Sequence, residues 1–239
     1  MKLLIDEKER SYLVNEGNDL HTSKGMIDKT QIDNAQCGEI LKSNTGRPFH
    51  VLNPNILDFI RKAKRGPQAM TFKDMSIAVG YTALKSSSRI VEAGTGSGLF
   101  SMFLAYHIQP GKLITYEKRA DFSEIAKKNF DRFGIENIVL KNQDIYEGIE
   151  EKDLDAVFLD LPEPWLAFDA VNESIKVGGY LVSYSPSINQ VNKLDPNLIK
   201  YQTETFETIK RHWKPDKMSP STRMLGHTGF LTVARKIES

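Results

Sequence analysis

The sequence predicts an α/β protein in which a mostly parallel, doubly wound sheet follows a small N-terminal β domain. From residue 89 onward, apolar runs of β type alternate with helical stretches about every 20 to 25 residues, which is typical of a parallel sheet covered by helices. Residues 1–53 instead carry short β runs broken by turn residues, which indicates a separate β module. We therefore expect one domain at residues 1–65, including a linker, and a second at residues 66–239.

Composition restricts the class of protein. The chain has 239 residues, of which 40% are hydrophobic and 26% charged, so the composition is that of a globular protein. No apolar run approaches the ~20 residues that a membrane helix needs. Asp6 and Glu7 fall where a signal peptide has its apolar core. The single cysteine, Cys37, excludes an intrachain disulfide and a cysteine-based zinc cluster. We expect a cytoplasmic protein with no membrane or metal partner.

The N-terminal part is expected to contain two hairpins, each built from two short apolar runs around a polar turn. Their strands are predicted at residues 3–5, 11–14, 39–41 and 48–52. Helices are predicted at residues 54–64 and 72–84, on either side of a turn at Arg65-Gly66-Pro67.

The second part alternates strands and helices. The predicted strands are residues 89–93, 112–116, 137–141, 156–160 and 180–184. The predicted helices are residues 98–107, 120–133, 164–176 and 196–213. A final strand is predicted at residues 229–236, and because no helix separates it from residues 217–225, we expect these two segments to pair antiparallel at an edge.

A glycine-rich turn, Gly94-Thr95-Gly96-Ser97-Gly98, follows the first strand of this pattern. Glycines there let the backbone turn tightly and approach a ligand at the start of the next helix. A dinucleotide fingerprint needs a further glycine at position 99, which is Leu99. The spacing, with Glu92 two residues ahead, instead resembles motif I of the Rossmann-like S-adenosylmethionine methyltransferases. That resemblance implies that residues 94–99 bind this cofactor and that Glu92 lies near its ammonium group.

Two further acids follow the next strands. Glu117 ends the second strand, where a carboxylate can accept hydrogen bonds from both ribose hydroxyls of a nucleoside. Asp144 follows the third strand and is placed to accept from an adenine amino group. Each acid alone could equally cap a loop or a helix. Their appearance at successive strand ends favours a binding site, because ligands bind at the carboxyl ends of such sheets.

The fourth strand ends at Asp160, in the segment Asp160-Leu161-Pro162-Glu163-Pro164-Trp165. Two prolines stiffen this loop. The loop resembles the Asn/Asp-Pro-Pro-Tyr loop of enzymes that methylate amino groups and ring nitrogens. A carboxylate suits adenine N1 as the target, because it accepts a hydrogen bond from the exocyclic amino group and stabilises the cation formed at N1. We therefore expect Asp160 to be catalytic and to border the cofactor.

The whole chain resembles the tRNA (adenine-N1)-methyltransferases that modify the T-loop adenine at position 58, most closely the archaeal type. His21-Thr22, with Gly25 and Ile27, is similar to the N-terminal β domain of that family. The segments that carry the resemblance are residues 65–68 with Lys73-Asp74, residues 92–98, residues 160–165 and residues 223–231.

The family resemblance implies a mostly parallel seven-stranded sheet, S-adenosylmethionine as methyl donor and tRNA as substrate. Some archaeal members also modify position 57 when it holds adenine. A homotetramer is implied as well, together with an N-terminal domain that helps to hold tRNA. The target adenine lies inside folded tRNA, so it has to be flipped into the pocket at a cost of a few kcal/mol.

Three residues are expected to contact the substrate. Many relatives carry Tyr-Pro before the Lys-Asp pair, and this chain has Thr71-Phe72, so Phe72 is expected to stack on the base in place of the tyrosine. Gln68 either lines the pocket or faces solvent. His227 either reaches the active site or caps a turn between edge strands.

Two alternative functions fit parts of the sequence. A methyltransferase acting on a small molecule or a protein would use the same glycine turn and the same acids, but the N-terminal β module and the Asp160 loop fit it less well. A non-catalytic tRNA-binding subunit would keep the fold, but the complete set of motif residues argues against it.

Overall fold

The computed structural model describes residues 1–66 and 69–238. The chain separates into two compact units, Met1–Ala63 and Lys64–Ser239. Gln68, which the sequence placed among the substrate contacts, lies outside the described residues.

The N-terminal unit is built on an antiparallel sheet in the strand order β2-β1-β6-β5. Leu4, Ile27 and Phe49 are fully buried in its core. The pairings of β1 with β2 and of β5 with β6 confirm both predicted hairpins. A third hairpin, β3 with β4, was not predicted. The elements are β1 (Lys2–Asp6), β2 (Ser11–Val14), β3 (Leu20–Thr22), β4 (Gly25–Ile27), α1 (Lys29–Asn34), β5 (Ile40–Lys42), β6 (Pro48–Leu52) and α2 (Ile56–Lys62).

The second unit contains a seven-stranded sheet in the order β12-β15-β11-β10-β7-β8-β9. The five strands from β11 to β9 are parallel, and β15 runs antiparallel between β11 and β12. This arrangement confirms the predicted fold class. The strands are β7 (Ile90–Ala93), β8 (Leu113–Tyr116), β9 (Ile138–Lys141), β10 (Leu154–Leu159), β11 (Ile175–Ser185), β12 (Tyr201–Glu207) and β15 (Phe230–Lys236). A short pair, β13 (Trp213–Lys214) with β14 (Ser219–Pro220), lies outside the sheet.

Helices cover both faces of the sheet, and its central strands are mostly apolar. All four residues of β7 are buried, as expected for a strand that is covered on both faces. The helix α5 carries an apolar stripe and ends at Gly134, whose left-handed conformation closes it. No described helix has the length and apolar character to cross a membrane. The helices are α3 (Phe72–Thr82), α4 (Leu99–Ile108), α5 (Ala120–Phe133), α6 (Phe168–Ser174) and α7 (Ile188–Leu194).

Three predictions in the C-terminal third differ from the structure. Residues 196–213 were predicted as a helix, but the strand β12 lies there. Its sequence, YQTETFE, is rich in aromatic and β-branched residues, which favour a strand. Residues 217–225 do not pair with the final strand, because β11 and β12 occupy both of its edges. The predicted helix at 164–176 is a 3-10 turn, Pro164–Ala167, followed by α6, and β11 begins at Ile175.

A closed polar network ties α3 to distant loops. The Asp74 carboxylate is fully buried and accepts from the Thr71, Thr208 and Thr228 hydroxyls at 2.7 to 2.8 Å. The Lys73 ammonium donates to Asp74 at 2.6 Å and also to Thr208 and Thr228. Four donors therefore satisfy both oxygens of one buried carboxylate, although two of them lie more than 130 positions away along the chain.

Replacement of Asp74 by Asn should destabilise the protein by roughly 3 kcal/mol, because it leaves the Lys73 ammonium without its counterion. Hydrogen bonds from Lys73 and three threonines also lower the Asp74 pKa, although burial opposes them. The stabilisation is therefore complete above the ordinary Asp pKa of 3.8 and is lost as the pH falls through the lower folded value. Urea unfolding of wild type and variant between pH 2 and pH 7 measures both effects.

Asp131→Asn, at an exposed position near the end of α5, is the matched control and should leave stability within about 0.5 kcal/mol of wild type. Equal stability of Asp74→Asn and Asp131→Asn would contradict the role of the network.

Candidate active site

A cavity of about 410 Å³ opens at the carboxyl ends of β7, β8 and β10. This is the edge of a parallel sheet where ligands bind, because the turns after the strands meet there. The volume suits a ligand the size of a nucleoside derivative. Its wall includes Gly94, Thr95, Gly96, Ser97, Leu99, Glu117, Asp144 and Asp160, all of which the sequence predicted as binding residues.

The glycine turn has a conformation and a setting that only glycine permits. Gly94 has φ +90°, and a Cβ there would collide with the carbonyl oxygen of Asp160. Gly98 has φ +79°, and a Cβ there would lie 2.5 Å from Cε1 of Phe130. The turn thus packs against the Asp160 backbone on one side and α5 on the other, which leaves its outer surface for a ligand.

Glu117 is held against the glycine turn by backbone donors. The amide of Gly96 donates to its Oε2 at 2.8 Å, and the amide of Arg119 donates to its Oε1 at 3.0 Å. Each carboxylate oxygen can accept more than one hydrogen bond. The group is therefore fixed in position and can still accept from the two hydroxyls of a ribose.

Glu92 lies beneath the cavity and is not part of its wall. The hydroxyls of Ser101 and Thr115 donate to its Oε2 at 2.5 and 2.8 Å, while its Oε1 has no hydrogen-bond partner among the described residues. Burial raises the pKa of Glu92 to about 8, and the charges of Asp160 and Glu117 add to the effect. Thr95 on the wall lies 2.6 Å from Thr115, so a hydroxyl chain links Glu92 to the cavity.

Asp160 stands on the cavity wall directly after β10. Its amide donates to the carbonyl of Ala93 at 2.9 Å, which extends the sheet by one bond beyond the strand. Burial raises the pKa of the Asp160 carboxyl to about 7, and the nearby charge of Glu117 contributes. A carboxyl group with a pKa near neutrality, on the wall of a cavity, is the kind of group found in active sites.

Asp144 shares the wall but is more exposed. Its Oδ1 accepts from the amide of Tyr146 at 3.1 Å, and Lys118 lies 3.8 Å from its Oδ2. The side chain thus caps a short turn, as the loop interpretation predicts, and it also lines the cavity. Its role in ligand binding stays a prediction.

Neither Phe72 nor His227 forms part of the cavity wall. Phe72 is 42% exposed and packs edge-on against Phe103, with ring centroids 5.4 Å apart. His227 contacts a wall residue without lining the cavity itself, because its Nε2 is 3.0 Å from the carbonyl of Pro186. Its Nδ1 is 2.8 Å from a Glu207 oxygen.

The imidazolium form of His227 is favoured, because both partners are acceptors and only that form donates from both ring nitrogens. The hydrogen bond to Glu207, and then that to Pro186, raises the pKa of His227. Gly229, two residues on, leaves room for the ring of Tyr184, whose hydroxyl donates to the carbonyl of Thr228 at 2.5 Å. Residues 227–229 therefore pack against β11, the strand beside β10, after which Asp160 stands.

Sequence reasoning missed several wall residues. Met75, Phe100, Tyr116, Tyr146 and Gln190 all line the cavity. The apolar residues among them belong to no spacing motif, so the sequence does not distinguish them from other core residues. A signal did exist for Gln190: it stands three residues after Ser187, the spacing of a helix capping box.

Gly94→Ala should weaken binding of S-adenosylmethionine at least tenfold, because the added methyl group has to displace the Asp160 backbone and adopt a left-handed φ. Isothermal titration calorimetry measures the dissociation constant. Gly80→Ala is the matched control: that glycine lies in α3 with open space around it, so alanine should leave binding unchanged and raise helix stability by about 0.5–1 kcal/mol. Equal affinity of the two variants for S-adenosylmethionine would contradict the proposed role of the glycine turn in binding.

Comparison with solved structures identifies the fold. A methyltransferase from Thermotoga maritima, described as an S-adenosylmethionine-dependent O-methyltransferase, is 34% identical, with a TM-score of 0.90 over 100% of this chain and 93% of its own. The tRNA (m1A58) methyltransferase TrmI of Aquifex aeolicus is 26% identical, with a TM-score of 0.83 over 100% of this chain and 97% of its own.

Comparison of sequences identifies the family. The tRNA (adenine(57)-N(1)/adenine(58)-N(1))-methyltransferase TrmI of Methanocaldococcus jannaschii is 32% identical, over 98% of this chain and 94% of its own length. The model of the family described as "tRNA methyltransferase complex GCD14 subunit" matches residues 60–219, which contain the glycine turn, Glu117 and the Asp160 loop. The chain therefore belongs to the GCD14 family of tRNA methyltransferases.

Proposed function

We propose that this protein transfers a methyl group from S-adenosylmethionine to N1 of the T-loop adenine at position 58 of tRNA, and at position 57 where that nucleotide is adenine. The observation that carries the proposal is the position of Asp160, which stands on the same cavity wall as the glycine turn. Family membership and the TrmI relatives support the reaction class.

The residues of the cavity fit S-adenosylmethionine. Gly94 and Gly98 leave no room for a side chain, and the turn between them would offer its backbone to the ligand. Glu117 would accept from the ribose hydroxyls, and Asp144 from the adenine amino group. The unpartnered Oε1 of Glu92 is an acceptor that a cationic group nearby would satisfy. When bound, the cofactor supplies an electrophilic methyl group.

Asp160 would act on the target base. Its carboxylate accepts a hydrogen bond from the exocyclic amino group of the flipped adenine, which orients the ring and raises the electron density at N1. N1 already has a lone pair, so no general base is needed. After N1 gains the methyl group the ring is cationic, and the same carboxylate stabilises that charge in a largely buried setting.

The partners follow from the family and from the surface. We propose that the N-terminal unit helps to hold tRNA and that the enzyme acts in the cytoplasm, where tRNA is available. We also propose a homotetramer, because apolar side chains that the core does not bury concentrate in one C-terminal segment: Ile209 is 58% exposed, Met218 88% and Leu225 63%.

A second candidate is methylation of an oxygen in another acceptor, because the Thermotoga neighbour is described as an O-methyltransferase. A hydroxyl acceptor would have to lose a proton, and a carboxylate with a pKa near 7 could take it. The two candidates therefore assign different roles to Asp160, and the product distinguishes them.

Unmodified tRNA incubated with wild-type protein and S-adenosylmethionine should yield 1-methyladenosine, and Asp160→Asn should lower the rate roughly 100-fold or more. The asparagine keeps the size of the side chain but removes its charge. Nucleoside mass spectrometry after complete digestion identifies the product. A 2′-O-methylated nucleoside, or methylation of a small molecule alone, would contradict the proposal.

The pH dependence of kcat/KM tests the role of the Asp160 charge. The active form of Asp160 is the carboxylate. The kcat/KM for S-adenosylmethionine should therefore rise as the pH increases through the free-enzyme pKa of about 7 and then level off. The residual activity of Asp160→Asn should lack this rise. A profile that falls across the same interval would contradict a carboxylate acceptor.

Light scattering should give a solution mass of four chains, each of 27.1 kDa. Met218→Glu with Leu225→Glu should shift the mass toward smaller species, because a charge at an apolar contact has to be desolvated. Lys217→Glu, a neighbouring charge reversal, is the control. A monomeric wild type would contradict the tetramer without affecting the proposed reaction.

A further inference from the structure

A side chain of α7 bonds to the loop that carries Asp160. The Nε2 of Gln190 donates to the carbonyl of Pro162 at 2.9 Å. Its Oε1 accepts from the backbone amide of Ser187 at 3.1 Å and completes the capping box of the helix. Gln190 therefore fixes the start of α7 with one end of its amide and the catalytic loop with the other, and the same side chain forms part of the cavity wall.

Few backbone hydrogen bonds hold the loop at residues 160–165 near Pro162. Pro162 and Pro164 have no amide hydrogen, so they cannot donate to the surrounding backbone. The amide of Asp160 is tied to Ala93, and the amide of Leu166 donates to the carbonyl of Glu163 at 3.0 Å. Proline fixes its own φ but not the direction in which the loop leaves the sheet. The hydrogen bond from Gln190 to the Pro162 carbonyl lies between these two backbone hydrogen bonds and fixes the direction of the loop.

We propose that Gln190 is a positioning residue for methyl transfer: by holding the Pro162 carbonyl, it sets the orientation of the Asp160 carboxylate toward the substrate base. The inference rests on the function proposed above. A catalytic group displaced by about 1 Å can lose up to 100-fold in rate, so one well-placed amide can affect kcat strongly without touching the reacting atoms.

The test uses three variants of the full-length chain. Gln190→Glu keeps an oxygen that can accept from Ser187 but replaces the donor to Pro162 with a second acceptor. Gln190→Ala removes both contacts. Asn189→Ala, at the adjacent exposed position, is the control. Both Gln190 variants should lower kcat for tRNA about tenfold or more while changing the dissociation constant of S-adenosylmethionine by no more than about threefold. Asn189→Ala should match wild type in both.

A spectroscopic measurement separates positioning from general loss of structure. Trp165 lies in the loop, and the ammonium of Lys193 on α7 stands 4.5 Å from its ring centroid. The chain has two tryptophans, so Trp213→Phe leaves Trp165 as the reporter. In that background, Gln190→Glu should increase acrylamide quenching of Trp165 fluorescence, and Asn189→Ala should not.

Wild-type kcat in Gln190→Glu would overturn the inference, and so would unchanged quenching. A loss of cofactor affinity that accounts for the whole loss of rate would also overturn it, because Gln190 would then act on the cofactor. If the wild-type protein methylates no nucleoside, the proposed function fails, and the quenching result alone decides whether Gln190 holds the loop.

Discussion

The site depends on a close approach between two backbones at the centre of the sheet. The amide of Asp160 bonds to the carbonyl of Ala93, and the next residue, Gly94, lies so near the Asp160 carbonyl that no side chain fits between them. The strands β7 and β10 are neighbours and parallel, so both end at the same edge. The turn that would hold the methyl donor and the carboxylate that would hold the acceptor therefore share one wall, which keeps the distance for methyl transfer short.

The same approach brings three carboxyl groups together, those of Glu92, Glu117 and Asp160. Burial raises the pKa of Glu92 and of Asp160, and repulsion from the neighbouring carboxylates adds to the effect. Such a site favours a cationic ligand, because positive charge offsets the repulsion and lowers the pKa of both raised groups. S-adenosylmethionine carries a sulfonium and an ammonium group, and methylated adenine is also cationic. The electrostatics thus suit both the donor and the product of the proposed reaction.

The sequence predicted what local patterns determine. The helix α5 has the predicted bounds, because its apolar period and its closing Gly134 are both local signals. The strand β12 was missed because its identity depends on pairing with β15, which lies more than 20 residues later. The position of Phe72 was inferred from a family substitution, and the structure packs that ring against Phe103 outside the cavity wall. Gln190 acts on a carbonyl 28 positions away, a distance that no spacing rule covers.

Two aspartates show why a motif alone does not identify a catalytic group. Asp74 and Asp160 both belong to segments that resemble the family, but Asp74 is fully buried and Asp160 is partly exposed on the cavity wall. Asp74 is surrounded by four donors, so its pKa is lowered and its charge serves to join α3 to two loops. Asp160 faces the cavity beside another carboxylate, so its pKa is raised to about 7 and its oxygens stay available to a ligand. The partners of each carboxylate, most of them remote in sequence, distinguish the acid that stabilises the fold from the acid proposed to act on the substrate.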